Sequence, residues 1–159
     1  MLAENTVLTG RRAITRSYAK INLTLDVLSK RENGYHDIKM IMQTVSLFDL
    51  ILVDKTHRGI SISTNLPYLP CNEKNIAYKA ADAFFKATGI RGGTKIVIHK
   101  NIPVAAGLAG GSGNCAAVLT AMNMLHGNPL SNEELMHIGA SLGADVPYCF
   151  DGGTQLAEG

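Results

Sequence analysis

The chain has 159 residues, of which 46% are hydrophobic and 18% charged, and its formal net charge is +2. This size and composition predict one globular domain with its own core and exclude an intrinsically disordered segment. The small charge, without a Lys/Arg run, argues against nucleic acid as a partner. The first fifteen residues carry Glu4, Arg11 and Arg12 and lack the apolar core of a signal peptide, and no run approaches the roughly 18 apolar residues of a membrane span. We therefore predict a cytoplasmic protein that makes no membrane contact.

The three cysteines are odd in number and far apart in the chain: Cys71, Cys115 and Cys149. Because no CxxC pair occurs, the pattern supports neither a structural zinc site nor a disulfide framework. We expect reduced thiols, some of them buried.

The first part of the chain predicts strands. Residues 1–12 are interpreted as a loose lead-in, and partial alternation predicts a half-buried strand over Thr15–Val27. The apolar residues of that alternation are Ile21, Leu23, Leu25 and Val27.

The turn chemistry of Asn33-Gly34 favours a tight hairpin, after which a strand is predicted from Lys39 to Val53. A further short strand is predicted over Ile60–Ser63, and β-branched alternation predicts another over Thr94–His99. Thr154–Ala157 is a candidate last strand.

Three helices or helix ends carry clear signals. One apolar face predicts a helix over Asn75–Thr88, closed by Gly89. A second helix is predicted over Ser112–Leu125. Ser131 and Glu134 form a capping box that begins a third, which Gly143 ends. Strands followed by helices predict an α+β fold in which helices cover one face of a sheet.

Small residues dominate the segment Pro103–Asn114, which holds four glycines and three alanines. Such residues let the backbone approach a ligand, and the helix that follows adds free N–H groups and a positive dipole end. The segment therefore predicts an anion site suited to a triphosphate.

These glycines have three other possible interpretations. A P-loop requires GxxxxGK followed by Ser or Thr, and no lysine follows here. Gly111–Ala116 satisfies the dinucleotide pattern GxGxxA, but the glycines do not directly leave a strand. A tight helix–sheet contact that needs small side chains stays open as the structural alternative.

The segment PVAAGLAGGSGN (Pro103–Asn114) resembles the phosphate-binding loop of the GHMP kinases, a superfamily of small-molecule kinases. Two further motifs resemble the 4-diphosphocytidyl-2-C-methyl-D-erythritol kinase family of the non-mevalonate isoprenoid pathway. One is SYAKINL (Ser17–Leu23) followed by NGYH (Asn33–His36). The other is GADVP (Gly143–Pro147) followed by GGTQLAEG (Gly152–Gly159).

The likeness covers residues 16–159 in the family's order and spacing. It implies the GHMP kinase N-terminal fold, similar to the second domain of ribosomal protein S5, with a mixed sheet and helices on one face. Residues 1–159 would be the ATP-binding domain, and the family's C-terminal domain is absent from this sequence. We therefore expect a fragment of a longer protein, with impaired turnover on its own.

The resemblance also implies catalytic roles. Asp145 would take the proton from the substrate's 2-hydroxyl, and Lys20 would stabilise the developing negative charge. Independently of the family, Lys20 lies among the apolar neighbours Ile21 and Leu23, with Asn22 beside it, and a buried lysine requires a carboxylate partner. Asp145 is the natural candidate, although it could also cap a helix.

ATP and Mg²⁺ are the implied cofactors. Asn75, Lys100 and Asn114 match positions on the adenine side, and the Ser112 hydroxyl would lie near the metal or a phosphate. On the substrate side, Asn22 matches the family, Tyr35 offers an aromatic face to cytosine, and His36 offers a donor and an acceptor. The implied phosphate cradle is Pro103, Val104, Ala105, Ala106, Gly107, Leu108, Ala109, Gly110, Gly111, Ser112, Gly113 and Asn114.

One departure from the family concerns Gly113, which stands where a second serine is usual and should loosen the start of its helix by up to ~1 kcal/mol. Three alternative functions remain at this point. These are a GHMP kinase for another alcohol, an RNA-binding module of the ribosomal-protein type, and a silent fragment. The sequence indicates no oligomeric state.

Overall fold

The computed structural model describes residues 2–30, 34 and 36–158. Six strands and four helices lie within these ranges. The strands are β1 (Thr6–Thr9), β2 (Arg12–Lys30), β3 (His36–Thr56), β4 (Gly59–Thr64), β5 (Gly93–His99) and β6 (Thr154–Glu158). The helices are α1 (Ile76–Thr88), α2 (Gly110–Leu125), α3 (Asn132–Leu142) and α4 (Val146–Asp151).

The strands form one mixed sheet in the order β1-β2-β3-β5-β4, and β6 pairs with β3 beside this path. The pair β4–β5 is parallel and the other pairs are antiparallel. One edge of the long strand β3 pairs with two strands, through Lys39–Gln43 with β6 and through Leu50–Thr56 with β5. Its other edge pairs with β2, so β3 lies at the centre of the sheet.

Helices cover one face of this sheet, which confirms the predicted α+β class. Alternate residues of β2 are buried, namely Ala13, Thr15, Ser17 and Ala19. Helix α2 is buried from Gly113 to Asn123, because it packs between the sheet and the other helices. Its first turn still reaches the surface, and this places the glycine-rich segment at the edge of the core.

The prediction of a half-buried strand over Thr15–Val27 is wrong for its second half. Ile21, Leu23, Leu25 and Val27 are 37–61% exposed. These residues lie on the half of β2 that extends beyond the helices, where only β3 pairs with it. Alternation identified side chains on a strand, but no helix covers them.

The lead-in is also more ordered than predicted. Residues 6–9 form β1, which pairs with β2 through Thr6↔Thr15 to Thr9↔Arg12. Leu2 is buried, and its N–H donates to the carbonyl of Phe150 at 3.1 Å. A four-residue strand is too short to show a hydrophobic period, so β1 could not be predicted from its residues.

The helix ends follow the predicted chemistry. Asn75 caps α1, and Gly89 closes it with a φ of 66°. Both bonds of the Ser131–Glu134 capping box are present. Helix α2 begins at Gly110, two residues before the predicted start, and the short α4 was not foreseen as a helix. None of the helices in the described ranges is long and apolar enough to cross a membrane.

Candidate active site

A cleft of about 470 Å³ opens between the start of α1, the end of β5 and the first turn of α2. Its size is typical of small-molecule pockets, which measure about 300–1,000 Å³. Its lining contains Pro103–Gly111, Asn114, Asn75, Lys100 and Asp145. The structure thus brings most of the predicted ATP-binding residues together, with Ser112 and Gly113 outside the lining.

The backbone of the glycine-rich loop is strained. Ala105, Gly107 and Ala109 have φ values of 58°, 73° and 54°. An alanine in this left-handed region costs of order 1–3 kcal/mol and persists only where its surroundings hold it. One such restraint is the backbone N–H of Lys20, which donates to the Leu108 carbonyl at 3.1 Å. Strain stored beside a cleft points to a functional loop.

Polar groups near the start of α2 lack hydrogen-bond partners among the described residues. The N-cap residue Ala109 has no side-chain oxygen to cap the helix, so the first N–H groups lack an intrahelical partner. Asn114 is 4% exposed, and its Oδ1 has no hydrogen-bond partner among the described residues. Free N–H donors at the positive end of a helix suit an anion.

Lys20 and Asp145 meet beside this loop. The Lys20 side chain is only 7% exposed, and its Nζ lies 3.8 Å from the Asp145 carboxylate and 2.9 Å from Asn22 Oδ1. The expected carboxylate partner of Lys20 is therefore confirmed. Asp145 occupies the N-cap position of α4, but its side chain makes no capping hydrogen bond with the described backbone. Asp145 instead lines the cleft.

A second lysine–aspartate pair lies below the loop. Asp49, on β3, is fully buried, and its Oδ2 accepts from Lys100 Nζ at 2.5 Å. Its Oδ1 accepts from the backbone N–H groups of Asn101 at 2.7 Å and Ile102 at 2.8 Å. The Asn65 side chain donates to the Lys100 carbonyl and accepts from the Lys100 N–H. Sequence reasoning missed Asp49, because a single aspartate in a strand carries no motif.

The predicted substrate-side residues are spread along the β2–β3 hairpin. Asn22 is bonded to Lys20. His36 is exposed at the start of β3, whereas Lys20 pairs with Thr44, eight residues further along that strand. At about 3.3 Å per residue, roughly 26 Å of strand separates them. Tyr35 lies outside the described residues.

The side chain of Asn75 is committed to local structure. Its Oδ1 accepts from Ala77 N at 3.0 Å, and its Nδ2 donates to Pro70 O at 2.9 Å. Asn75 therefore shapes the wall of the cleft, to which Leu69 and Lys74 also contribute. The sequence did not indicate these last two residues, which lie in the segment that connects β4 to α1.

Gly113 fits tightly against β2. A Cβ at this position would lie 2.5 Å from Ser17 Oγ, so a serine here would require Ser17 to move. Because α2 begins at Gly110 and Gly113 N donates to Ala109 O at 2.8 Å, Gly113 falls inside the first turn. The position is closed by packing and does not face the cleft.

Two thiols near the core are chemically quiet. Burial raises the pKa of Cys115 and of Cys149 to about 12, and the charge of Asp145 adds to the shift at Cys149. Both are therefore neutral at physiological pH. Cys71 is exposed.

The chain is similar to known proteins in both sequence and fold. Residues 75–153 match the family model for the GHMP kinases N terminal domain. A 4-diphosphocytidyl-2-C-methyl-D-erythritol kinase from Clostridium botulinum (strain Alaska E43 / Type E3) is 53% identical over 144 residues, which are 91% of this chain and 51% of the relative.

Solved structures show the same fold. A crystal structure of 4-(cytidine 5'-diphospho)-2C-methyl-D-erythritol kinase has a TM-score of 0.82 at 36% identity, covering 92% of this chain and 52% of that one. The homoserine kinase of Cytophaga hutchinsonii shares the fold with a TM-score of 0.70 at 20% identity, covering 94% of this chain and 49% of that one. The chain spans about half the length of the curated relatives it matches. The chain therefore carries the N-terminal domain of the GHMP kinases.

Proposed function

We propose that this chain supplies the ATP-binding half of a cytoplasmic enzyme that phosphorylates the 2-hydroxyl of 4-diphosphocytidyl-2-C-methyl-D-erythritol. The observation that carries the proposal is the Lys20–Asp145 pair at the edge of the glycine-rich cleft. A cation and a carboxylate beside a phosphate-sized anion site are the groups that phosphoryl transfer needs. The substrate is taken from the names of relatives about half identical to this chain, because the fold is shared with kinases of other alcohols.

In this mechanism the strained loop and the first turn of α2 hold the triphosphate through backbone N–H groups. Asp145 accepts the proton of the substrate hydroxyl as that oxygen bonds to the γ-phosphorus. The bond from the γ-phosphorus to the bridging oxygen breaks, and ADP leaves with the electron pair. Lys20 holds Asp145 in place and offsets the negative charge that develops on the transferred group.

The donors in the cleft suit Mg²⁺. Asp145 provides a carboxylate, and the lining residue Asn114 has a buried amide oxygen without a partner among the described residues; hard oxygen ligands are those that Mg²⁺ prefers. No group of three His, Cys, Asp or Glu side chains within the described ranges could hold a metal by itself. Such an ion would complete its ligands with phosphate oxygens and water, and when bound it would neutralise charge on the phosphates. Ser112 stays a predicted contributor.

An ADP-release assay with the cytidylyl substrate tests the proposal. It should be run on this chain and on a version completed with the C-terminal half of the Clostridium botulinum relative. We expect Asp145→Asn to lower kcat of the completed protein by about 100- to 10,000-fold, the usual contribution of a general base. Lys20→Met should cause a loss of about 100-fold or more, typical of a removed charge-stabilising donor.

The matched control is another lysine–aspartate pair, Lys86 with Asp82, which is exposed on α1 at 2.6 Å. Lys86→Met should leave the rate unchanged. Near-full activity of Asp145→Asn would disprove its role as the base. Turnover of homoserine or mevalonate without turnover of the cytidylyl substrate would disprove the proposed acceptor.

A further inference from the structure

We propose that Asp49 is a positioning residue for the nucleotide: it fixes the base of the phosphate loop and holds the Lys100 ammonium under the first turn of α2. The inference deepens the proposed function and depends on ATP being bound in the cleft. Asp49 lies outside the lining of the cleft and acts through its neighbours.

Within the described part of the chain, every hydrogen bond of the Asp49 carboxylate goes to the segment that enters the loop. The side chain is fully buried on β3, and its three hydrogen bonds go to Lys100, Asn101 and Ile102. A buried carboxylate with one ammonium and two N–H donors is well satisfied, whereas a single missing partner would leave a costly buried charge. The residues just before Pro103 are thereby clamped to the sheet.

Lys100 transmits this restraint to the helix. A Cβ built on Gly110 would lie 2.5 Å from Lys100 Nζ, so the ammonium sits directly against the first residue of α2. Lys100 also lines the cleft although it is only 8% exposed. Its charge therefore adds to the positive end of the helix at the place where we expect phosphates.

The direction in which removal of Asp49 changes ATP affinity distinguishes a positioning role from a simple charge effect. If Asp49 were only a negative charge near the cleft, its removal would strengthen the binding of a polyanion. If Asp49 positions Lys100 and the loop, its removal weakens that binding. Asp49→Asn isolates the question, since an asparagine Oδ1 can still accept from Asn101 and Ile102 while the partner of Lys100 is lost.

The experiment is a calorimetric titration of ATP into the chain, with melting temperatures measured in parallel. We expect Asp49→Asn to bind ATP about tenfold more weakly, as for the loss of one charge-assisted hydrogen bond. The matched control is Asp54→Asn on the same strand, whose partner Arg12 is 48% exposed and remote from the loop. It should bind ATP as the wild type does.

A second variant guards against misfolding. The pair Asp49→Asn with Lys100→Met leaves no unpaired buried charge, so it should fold, and it should bind ATP no more weakly than Lys100→Met alone. Unchanged or tighter binding by Asp49→Asn, or wild-type affinity in the double variant, would overturn the inference. If the wild type itself binds no ATP, the proposed function fails and this inference falls with it, a result distinct from wild-type binding that Asp49→Asn leaves intact.

Discussion

Gly110 and Gly111 are neighbours in the first turn of α2, yet an added methyl group meets different surroundings at each. At Gly110 it would lie 2.5 Å from Lys100 Nζ and 3.0 Å from Ile102 Cγ2. At Gly111 its nearest neighbour would be Ile76 Cγ2 at 3.7 Å, an ordinary contact. Gly110 is buried, and Gly111 is exposed to the cleft. The two alanine variants should therefore fail in different ways.

Replacing glycine by alanine in a helix gains roughly 0.5–1 kcal/mol. Overpacking at Gly110 costs about 1–3 kcal/mol, because the Lys100 ammonium is held by Asp49 and cannot easily retreat. We expect Gly110→Ala to lose about 1 kcal/mol of stability, which lowers the melting temperature by about 2–4 °C. Gly111→Ala should be as stable as the wild type or slightly more stable.

Gly111→Ala should instead lower the affinity for the nucleotide. The methyl of Gly111→Ala projects into the space where we expect phosphates, so ATP binding should weaken by at least about tenfold, or about 1.4 kcal/mol. Thermal unfolding and calorimetric titration of both variants measure the two effects. Equal stability of the two variants would refute the packing argument, and wild-type ATP affinity in Gly111→Ala would refute the phosphate cradle.

Three further variants test the fold around the site. Asn123→Ala removes two hydrogen bonds, at 2.9 and 3.0 Å, that join α2 to the backbone of Leu130, and should cost about 2 kcal/mol in denaturant unfolding. Ser131→Ala removes the cap of α3 and should cost about 1 kcal/mol, with Glu134 left to bond the backbone alone. Burial lowers the pKa of His126 from 6.5 in the folded chain, so the unfolded chain binds this proton more readily. Stability that is fully present above pH 6.5 is therefore lost as the pH falls toward the folded pKa. His126→Phe keeps an aromatic ring and should flatten the drop in melting temperature between about pH 7.5 and about pH 5.5; an unchanged drop would show that other groups cause it.

The sequence predicted best where chemistry is local. The capping box needs only Ser131 and Glu134, three residues apart, and both of its bonds are present. One long-range pair was also within reach, because a lysine buried in a strand requires a carboxylate and the family motif offered Asp145. Their separation of 3.8 Å confirms the pairing, and their catalytic roles stay predictions.

What the sequence could not supply depends on tertiary placement. The role of Asp49 appears only when β5 pairs with β3 and delivers Lys100 to it. The exposure of Leu23 and Leu25 follows from where the helix layer stops, and a strand's alternation does not contain that information. The start of α2 at Gly110 could not be predicted, because small residues allow the backbone to be helical there but do not require it.

The near-complete burial of α2 affects how fast its amide hydrogens exchange with solvent. Amides from Gly113 to Asn123 lie in the core, so their hydrogens should exchange only on the slowest, near-global openings of the chain. A few residues earlier, Val104–Gly107 are exposed and should exchange on the fastest. The proposed phosphate site spans this boundary, so a bound nucleotide would rest on an already rigid helix and would lose entropy mainly in ordering the short loop before it.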